Sequence, residues 1–378
     1  MKKKITVLGS GMVGSVMAVD LSNNYDVTCV DLDEQKLDLL KNKPGIKTLK
    51  ADLSDQKIIQ DTIKDCDLVV CAVPGFMGFE TIKTIIALGK DVVDISFFDQ
   101  DPFELDNLAK EKDVTAIVDC GVAPGMSNII LGYHKQNMEI DEYECLVGGL
   151  PFQRSWPFQY KAPFSPSDVI EEYTREARYV ENSRIVYKPA LSEPEYVEFD
   201  KVGTLEAFNT DGLRSLIKTM NIPNMKEKTL RYPGHIEHMR VLSEAGFFSK
   251  ELIDIKGKKI RPLDVTSALL FPLWKLENSE PEFTVMRITI KGIENNVRKE
   301  YTYHLFDTFD EITGNTSMAR TTGYTCTAAV KLVMDGKFVR KGICPPEFIG
   351  AENDCFNLVN SYLKERNVIY TSVEKVLN

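Results

Sequence analysis

The stretch Ile5-Thr-Val-Leu-Gly-Ser-Gly-Met-Val-Gly14 carries the pattern G-x-G-x-x-G on Gly9, Gly11 and Gly14, directly after an apolar run. Gly9 allows the sharp turn that leaves a strand, Gly11 allows the backbone to approach a pyrophosphate, and Gly14 allows the next helix to lie close to the strand. The free N–H groups at the start of such a helix attract phosphate oxygens. A second apolar run ends at Asp31, so strand, glycines, helix, strand and acid follow in the order of a dinucleotide-binding unit.

Asp31 favours NAD over NADP as the cofactor. A carboxylate at the end of the second strand accepts hydrogen bonds from the ribose hydroxyls of NAD and repels the 2′-phosphate of NADP. No arginine stands at positions 32–35, where an NADP enzyme would usually have one. The alternative is an ordinary strand–turn–helix that binds no nucleotide. The predicted cofactor-binding residues are those of the glycine-rich turn, the acid and the ends of two later strands: Gly9, Ser10, Gly11, Met12, Val13, Gly14, Asp31, Ala72, Val73, Pro74 and Ser96.

Length and composition indicate a globular protein of two domains. The chain has 378 residues, of which 43% are hydrophobic, and this is enough for a sizeable core. The net charge of −10, with no block of like charge beyond Lys2–Lys4, argues against nucleic acid or an anionic membrane as a partner. No apolar stretch approaches the roughly 18 residues that span a membrane.

The N-terminus has a competing interpretation as a signal peptide, because Lys2–Lys4 precede an apolar run. Gly-Ser-Gly interrupts that run and Asp20 follows it, so we expect a cytoplasmic protein instead. The eight cysteines form no Cys-x-x-Cys pair and fit buried small side chains in a reducing compartment. His235 and His238 could share a helix face, but no further Cys or His stands near them in the sequence, so no metal site is expected.

Apolar runs and helical segments alternate regularly up to about residue 130. The runs at 67–74, 90–96 and 114–120 are typical of buried parallel strands, with helices at 81–88 and 103–112 between them. This rhythm predicts an α/β architecture with a doubly wound (Rossmann) parallel sheet over residues 1–130.

The character of the sequence changes after this region. An aromatic, proline-rich loop at 152–166 precedes several short strands, and the alternating runs 283–290 and 300–306 indicate an antiparallel hairpin. We therefore predict an α+β substrate and dimerisation domain with a mainly antiparallel sheet over residues 131–316. The tail, 317–378, is predicted to be helix, loop and helix, packing back on the first domain.

Four motifs resemble the saccharopine dehydrogenase superfamily: Gly121-Val-Ala-Pro-Gly-Met-Ser-Asn128, Val147-Gly-Gly-Leu-Pro151, Tyr160-Lys161 and Thr229-Leu-Arg-Tyr-Pro-Gly-His235. With Glu206-Ala-Phe-Asn-Thr-Asp-Gly-Leu-Arg214, they are most similar to its L-lysine 6-dehydrogenase branch. The resemblance implies NAD-dependent oxidative deamination of the lysine ε-amino group to 2-aminoadipate 6-semialdehyde. The saccharopine reductases carry Asp where Ala123 stands and Cys where Val147 stands, which argues against saccharopine as the substrate. We also expect a homo-oligomer, either a dimer or a tetramer.

The chemistry of amine oxidation narrows the candidate catalytic residues. Hydride leaves a carbon bonded to nitrogen only when that amine is neutral, and a lysine amine has a pKa of about 10.4. The site must lower that pKa by desolvation or by a neighbouring cation. Lys161 could supply the cation, or act as the base that activates water, and His235 is a second candidate base. Each could instead be structural, as a solvated loop lysine or a hydrogen-bonded histidine at a helix start.

Arg214 and Arg231 are candidate partners of the substrate α-carboxylate, because an arginine fork binds a carboxylate through two N–H groups. Asp211 or Glu206 could bind the α-amino group. The alternative for all four residues is a salt bridge within the protein.

Asp94 and Ser96 lie at the C-terminal end of the predicted strand 90–96 and should face the nicotinamide, with Asp94 as a third candidate catalytic residue, unless they cap a helix. The resemblance adds Tyr160 and Thr229 to the substrate-binding residues. Two other functions stay open: an NADP-dependent dehydrogenase of saccharopine or a carboxy-polyamine, and a non-catalytic NAD-binding sensor.

Overall fold

The computed structural model describes residues 2–277 and 280–377. The chain divides into two compact units. The first unit comprises the residues up to Asn137 together with Met318–Ile369, and the second comprises Met138–Ser317 together with the residues from Tyr370 onward.

The elements up to Asn137 are, in chain order, β1 (Lys4–Leu8), α1 (Met12–Ser22), β2 (Asp26–Asp31), α2 (Glu34–Asp38), β3 (Ile46–Lys50), α3 (Gln56–Ile63), β4 (Leu68–Cys71), α4 (Gly75–Ala87), β5 (Asp91–Asp94), a 3-10 helix (Pro102–Leu105), α5 (Asp106–Glu111), β6 (Thr115–Ile117) and α6 (Met126–Lys135). The next elements are β7 (Met138–Pro151), α7 (Pro166–Thr174), β8 (Ala177–Glu181), β9 (Arg184–Lys188), β10 (Glu195–Phe199), β11 (Gly203–Asn209), α8 (Leu216–Thr219), β12 (Asn224–Arg231), α9 (His235–Glu244), β13 (Ile253–Ile255), β14 (Lys258–Ile260), α10 (Pro262–Trp274), β15 (Glu282–Glu294) and β16 (Val297–Thr308). The last elements are α11 (Ser317–Met334), β17 (Gly342–Cys344), α12 (Pro346–Gly350), α13 (Asn353–Glu365) and β18 (Tyr370–Val376).

The first unit is built on a seven-stranded sheet in the order β17-β6-β5-β4-β1-β2-β3, in which every neighbouring pair is parallel. The order of its first six strands is that of dinucleotide-binding α/β folds. Its central strands are continuous apolar runs because both faces of the sheet are covered, and all four residues of β4 are buried. The doubly wound parallel sheet predicted from the sequence is confirmed.

The second unit is built on a nine-stranded mixed sheet. Seven strands follow the order β10-β11-β12-β7-β15-β16-β18, and β8 pairs with β12 and with β9. Among the described strands, β12 and β7 run parallel and the other pairs are antiparallel. The predicted antiparallel hairpin is confirmed as β15 and β16, and both strands are longer than the alternating runs that identified them.

A buried acid fastens the C-terminal helices of the first unit to the helix that follows the glycine-rich turn. Asp20 of α1 accepts hydrogen bonds from Thr327 Oγ1 at 2.6 Å, Tyr362 Oη at 2.7 Å and Arg366 Nε at 2.8 Å. These donors come from α11 and from the C-terminal end of α13. A carboxylate at this depth is stable because three donors, one of them charged, replace its water.

The tail differs from the predicted helix, loop and helix. It contains helices, but also β17, which joins β6 in the first sheet, and β18, which pairs with β16 in the second. Three residues are too few to show a strand period, and β18 is exposed along most of its length, so neither strand has a burial pattern in the sequence. The residues from Tyr370 onward therefore belong to the second unit rather than the first.

Within residues 2–277 and 280–377, no helix is both long and apolar enough to cross a bilayer.

Candidate active site

The glycine-rich turn has the geometry that its glycines predict. Gly9 has a φ of +102°, and a Cβ there would lie 2.4 Å from the carbonyl oxygen of Ala72. A Cβ on Gly14 would lie 2.1 Å from the carbonyl oxygen of Gly9, whereas no atom of residues 2–277 or 280–377 outside the adjoining backbone lies within 4 Å of a Cβ added at Gly11. The fold itself therefore requires Gly9 and Gly14, and Gly11 is the position that is open to a ligand.

The start of α1 has unused hydrogen-bonding capacity. No side chain caps this helix start, and the buried hydroxyl of Ser10 has no hydrogen-bond partner among the described residues. Helix N–H groups and a serine hydroxyl at one turn are the donors that phosphate oxygens require. The residues of the turn thus fit the pyrophosphate of a dinucleotide.

Asp31 is fixed beside this turn at the end of β2. Its Oδ2 accepts a hydrogen bond from the Ser10 N–H at 2.7 Å, and its Oδ1 accepts one from the Asp33 N–H at 2.9 Å. The nearby cation Lys50 is paired with Glu34 at 2.9 Å. The carboxylate is therefore oriented by the backbone and retains lone pairs for ribose hydroxyls.

A second acid, Asp94, lies buried at the end of β5. Ser96 Oγ donates a hydrogen bond to Asp94 Oδ1 at 2.6 Å, so these two side chains bond to each other rather than to a helix start. Burial raises the pKa of the Asp94 carboxyl to about 7, although the Ser96 hydroxyl and the Cys71 thiol donate to it. Helix α4 packs tightly here, since a Cβ on Gly78 would lie 2.2 Å from Ser96 Oγ. Asp94 can therefore gain or lose a proton near neutral pH.

The aromatic loop between β7 and α7 carries Lys161. Its Nζ donates a hydrogen bond to the carbonyl oxygen of Lys275 at 3.0 Å and lies 3.9 Å from Glu280 Oε2. The next residue, Ala162, donates its N–H to the carbonyl oxygen of Trp274 at 2.8 Å. Lys161 is therefore anchored to the segment around the end of α10 and is not a freely solvated loop lysine.

His235 begins α9 and is 1% exposed. Its Nδ1 lies 2.9 Å from the Phe158 carbonyl oxygen, and its Nε2 lies 2.9 Å from the hydroxyl of Tyr173. A carbonyl oxygen only accepts, so Nδ1 carries the proton and Nε2 accepts from the Tyr173 O–H. Burial, reinforced by the charge of Arg231, lowers the pKa of His235 to about 3. The imidazole is thus neutral with both nitrogens occupied, which favours a structural role over that of a base.

Arg231, at the end of β12, is paired within its own unit. Its Nη2 lies 2.6 Å from Glu172 Oε2, its Nε donates to the Tyr173 hydroxyl at 3.1 Å, and its guanidinium carbon lies 4.4 Å from the centre of the Tyr160 ring. Burial raises the pKa of Glu172, and the charge of Arg231 opposes that rise. The carboxylate that Arg231 binds in this structure is therefore Glu172.

Tyr160 and Trp274 provide buried donors in the same cluster. Their rings meet edge to face with centres 5.8 Å apart. The Tyr160 hydroxyl and the Trp274 indole N–H have no hydrogen-bond partner among the described residues. Burial raises the pKa of Tyr160, so the hydroxyl keeps its proton. Buried donors without partners are rare, and these two could bind an acceptor such as a carboxylate oxygen.

The two acids proposed for the α-amino group are already hydrogen-bonded within the chain. Arg178 binds Asp211 through Nε at 2.9 Å and Nη2 at 2.8 Å, in a two-bond contact. Glu206 Oε2 accepts the N–H of Gly234 at 3.1 Å. For Asp211, the alternative of a salt bridge within the protein describes the geometry better than a free amine-binding site does.

The remaining candidates lie on β12 and after β11. Arg214 is buried and has a φ of +48°. The Thr229 hydroxyl lies 3.0 Å from the hydroxyl of Thr210.

Of the residues predicted for the substrate and the catalytic step, the second unit brings three into one cluster: Tyr160, Arg231 and His235.

Sequence reasoning missed Glu172, Tyr173 and Trp274 in this cluster. A signal for the first two exists in α7, where Val169, Ile170 and Tyr173 repeat with the helical period and are buried. Glu172 stands three residues after Val169 and so next to that apolar face, where an acid needs a buried cation as its partner.

The chemistry of the described residues includes no metal centre: in residues 2–277 and 280–377, no group of three or more His, Cys, Asp or Glu side chains could hold an ion. The eight cysteines are buried thiols and form no disulfide among the described residues.

Two family models match this chain. The family model described as “Saccharopine dehydrogenase NADP binding domain” matches residues 5–117, and “Saccharopine dehydrogenase C-terminal domain” matches residues 121–368. The chain belongs to the saccharopine dehydrogenase family. Its members named below are dehydrogenases, and the nucleotide-binding domain of this chain is one for NAD or NADP.

Two relatives match this family member over nearly their whole length. Carboxyaminopropylagmatine dehydrogenase of Synechocystis is 23% identical over 374 residues, which cover 90% of this chain and 91% of the relative. Saccharopine dehydrogenase [NADP(+), L-glutamate-forming] of Saccharomyces cerevisiae is 24% identical over 423 residues, covering 92% and 94%. The solved structure of the apo yeast saccharopine dehydrogenase (L-Glu forming) aligns over 100% of both chains with a TM-score of 0.78 at 20% identity, which shows the same fold.

Proposed function

We propose that this family member oxidises the ε-amino group of L-lysine with NAD as the hydride acceptor. The observation that carries the choice of lysine lies at two positions, Ala123 and Val147, where the saccharopine reductases have Asp and Cys. Val147 stands in β7 between Thr229 of β12 and Met286 of β15. Neither side chain can supply the ionisable group found in those reductases, which supports a primary amine as the substrate.

Asp31 supports NAD for this chain, although the family model and the yeast relative are named for NADP. Its carboxylate is held at the turn by two backbone N–H groups, at the place where an NADP phosphate would meet it.

The overall reaction consumes lysine, NAD⁺ and water and yields the semialdehyde, NADH, ammonium and a proton. NAD, held by the glycine-rich turn and Asp31, would supply the acceptor for the hydride that leaves the carbon bonded to nitrogen. Lys161 is the proposed cation that keeps the substrate amine neutral, because a fixed positive charge disfavours a second one. The buried donors of Tyr160 and Trp274, beside the charge of Arg231, are the proposed contacts of the α-carboxylate.

The second candidate is a dehydrogenase of a carboxyalkyl-substituted polyamine. It is favoured by the Synechocystis relative, which matches over nearly the full length of both chains. In that reaction the nitrogen is a secondary amine, so the same hydride transfer releases an amine in place of ammonia.

A substrate screen with both cofactors separates these functions. Lysine, ornithine, saccharopine and carboxyaminopropylagmatine are each offered with NAD and with NADP, and reduced cofactor is followed by absorbance. The proposal expects the fastest reduction with lysine and NAD, and o-aminobenzaldehyde should trap the cyclised imine product. Reduction with saccharopine or the polyamine but not with lysine would move the assignment to the second candidate. Nucleotide binding with no reduction by any amine would indicate a sensor.

A further inference from the structure

We propose that His235 is a positioning residue, which holds the aromatic loop, and through it Lys161, by bridging Tyr173 and the Phe158 carbonyl group. The inference rests on the proposed function in one respect, because the part of Lys161 in amine oxidation belongs to that proposal. His235 itself transfers no proton in this scheme.

The hydrogen bonds around His235 form a chain with a fixed direction. Arg231 has no acceptor, so its Nε donates to the Tyr173 hydroxyl. The Phe158 carbonyl oxygen has no proton, so it accepts from His235 Nδ1. Between these two ends, the single proton of Tyr173 has to point at His235 Nε2. Only one neutral tautomer of His235 satisfies this chain, and the ion pair of Arg231 with Glu172 fixes its far end.

Phe158 lies three residues before Lys161, and the loop between them depends on contacts at both ends. The Phe158 ring meets Trp274 edge to face at 6.0 Å, and Ala162 donates its N–H to the carbonyl oxygen of Trp274. Between these anchors the backbone passes through the left-handed region at Gln159, with a φ of +51°. A glutamine adopts that conformation where surrounding contacts enforce it. Loss of the His235–Phe158 bond therefore releases the stretch that sets the place of the Lys161 ammonium.

A pair of matched substitutions separates positioning from proton transfer. In His235→Asn the side-chain amide takes the place of Nδ1, so the hydrogen bond to the Phe158 carbonyl oxygen is kept and the one to Tyr173 is lost. In His235→Gln the amide takes the place of Nε2, so the hydrogen bond to Tyr173 is kept and the one to Phe158 is lost. We expect kcat of His235→Asn to exceed that of His235→Gln by about tenfold or more, because misplacement of a reacting group by about 1 Å can cost about 100-fold, with the KM for the nucleotide alike in both. Equal and large losses of kcat in both variants would identify His235 as the base and overturn the proposal. Loss of stability with equal kcat in the folded variants would overturn it too.

Hydrogen exchange tests the loop without a substrate. Exchange at the Ala162 amide, read from a peptide that spans the loop, should be faster in His235→Gln than in His235→Asn, with exchange in the glycine-rich turn unchanged. This ranking holds even where lysine is not oxidised, so failure of the proposed function and failure of this inference are distinguishable. Equal loop exchange in the two variants would overturn the inference.

A measurement on the unmodified protein does not depend on either variant folding. With ¹⁵N-labelled histidine, one of the four side chains should show a protonated Nδ1 and an unprotonated Nε2. That pattern should persist as the pH falls from about 8 to about 5, across the ordinary pKa of histidine. If all four imidazoles titrate within that range, His235 is not locked by its neighbours and the proposal fails.

Discussion

The task to which a side chain is suited depends on how many of its hydrogen-bonding positions are still unused. A carboxylate has about four lone-pair positions, and Asp31 uses two of them on the backbone N–H groups of Ser10 and Asp33. The rest can accept two ribose hydroxyls. His235 has the opposite character, since both of its nitrogens are engaged. Asp31 is therefore suited to ligand binding, whereas His235 is suited to holding a loop.

Replacement of Asp31 by Ser should erode the choice of NAD. We expect the unmodified protein to prefer NAD over NADP by tenfold or more in kcat/KM, which corresponds to about 1.4 kcal/mol, because the carboxylate repels the 2′-phosphate. The Asp31→Ser variant should lose most of that preference. Asp33→Ser is the matched control, since Asp33 caps α2 through the Gln35 N–H and should leave the ratio unchanged. Equal use of both cofactors by the unmodified protein would contradict this view of Asp31.

Asp94 should make the stability of the first unit depend on pH. Its pKa in the folded state, about 7, lies above the value in an unfolded chain, so the folded state binds the additional proton. The stabilisation of the folded state by this proton is present in full below about pH 4. It is lost as the pH rises to about 7, and the free energy of unfolding falls by at most about 1.4 kcal/mol per pH unit. Asp94→Asn mimics the protonated acid and should become more stable than the unmodified protein as the pH rises through that window. Urea unfolding across this range measures the difference, and a difference that is independent of pH would show that Asp94 stays ionised.

At the scale of single elements, the strand–turn–helix at the N-terminus contains two kinds of glycine. Gly14 is required because α1 lies against the turn, whereas the space beside Gly11 is open and we expect the pyrophosphate to lie there. Gly14→Ala should therefore lower the melting temperature and abolish nucleotide binding together. Gly11→Ala should keep the melting temperature within a few degrees and still weaken NADH binding, measured by fluorescence titration. Equal destabilisation by both substitutions would mean that the space at Gly11 is closed in the free protein.

The strands β1, β2, β4, β5 and β6 of the first unit could be predicted from their apolar runs, whereas β3 and β17 were not predicted. Buried parallel strands are apolar runs, and the pattern G-x-G-x-x-G places the ligand at the end of the first of them. The elements around the second-unit cluster carry weaker signals. Glu172 and Tyr173 lie on α7, and Trp274 lies on α10. These two helices are far apart in the sequence and pack together only in the fold, so no sequence spacing predicts their contact. The hydrogen bonds that Asp211 and His235 make within the protein could not be predicted either, because their partners come from other elements.

At the scale of the whole molecule, the chain passes between the two units three times. The segment Met318–Ile369 completes the first unit, since it adds β17 to the sheet and three donors to Asp20. The residues from Tyr370 onward return to the second unit as a strand at the edge of its sheet. Neither unit is therefore a single continuous piece of sequence.

Two truncations should have contrasting effects on nucleotide binding. Removal of the residues from Tyr370 onward leaves the first unit whole, so NADH affinity should stay unchanged while the second unit loses about 1–3 kcal/mol from the hydrogen bonds of one strand. Truncation after Ser317 removes β17 from the first sheet together with the three donors to Asp20, so it should abolish NADH binding. NADH titration and thermal unfolding of both truncated chains measure these effects. Full NADH affinity without Met318–Ile369 would show that this segment is dispensable for the nucleotide site.

The buried Asp20 also sets an order of events on the ribosome. Strand β1 belongs to a unit whose helix α13 is translated only after the segment Met138–Ser317 of the second unit, so the first unit is completed late. At about 5–20 residues per second, the nascent α1 waits on the order of ten seconds or more for Arg366. During that interval Asp20, which is buried in the folded protein, remains in water. This favours delayed closure of the N-terminal sheet over early, incorrect packing.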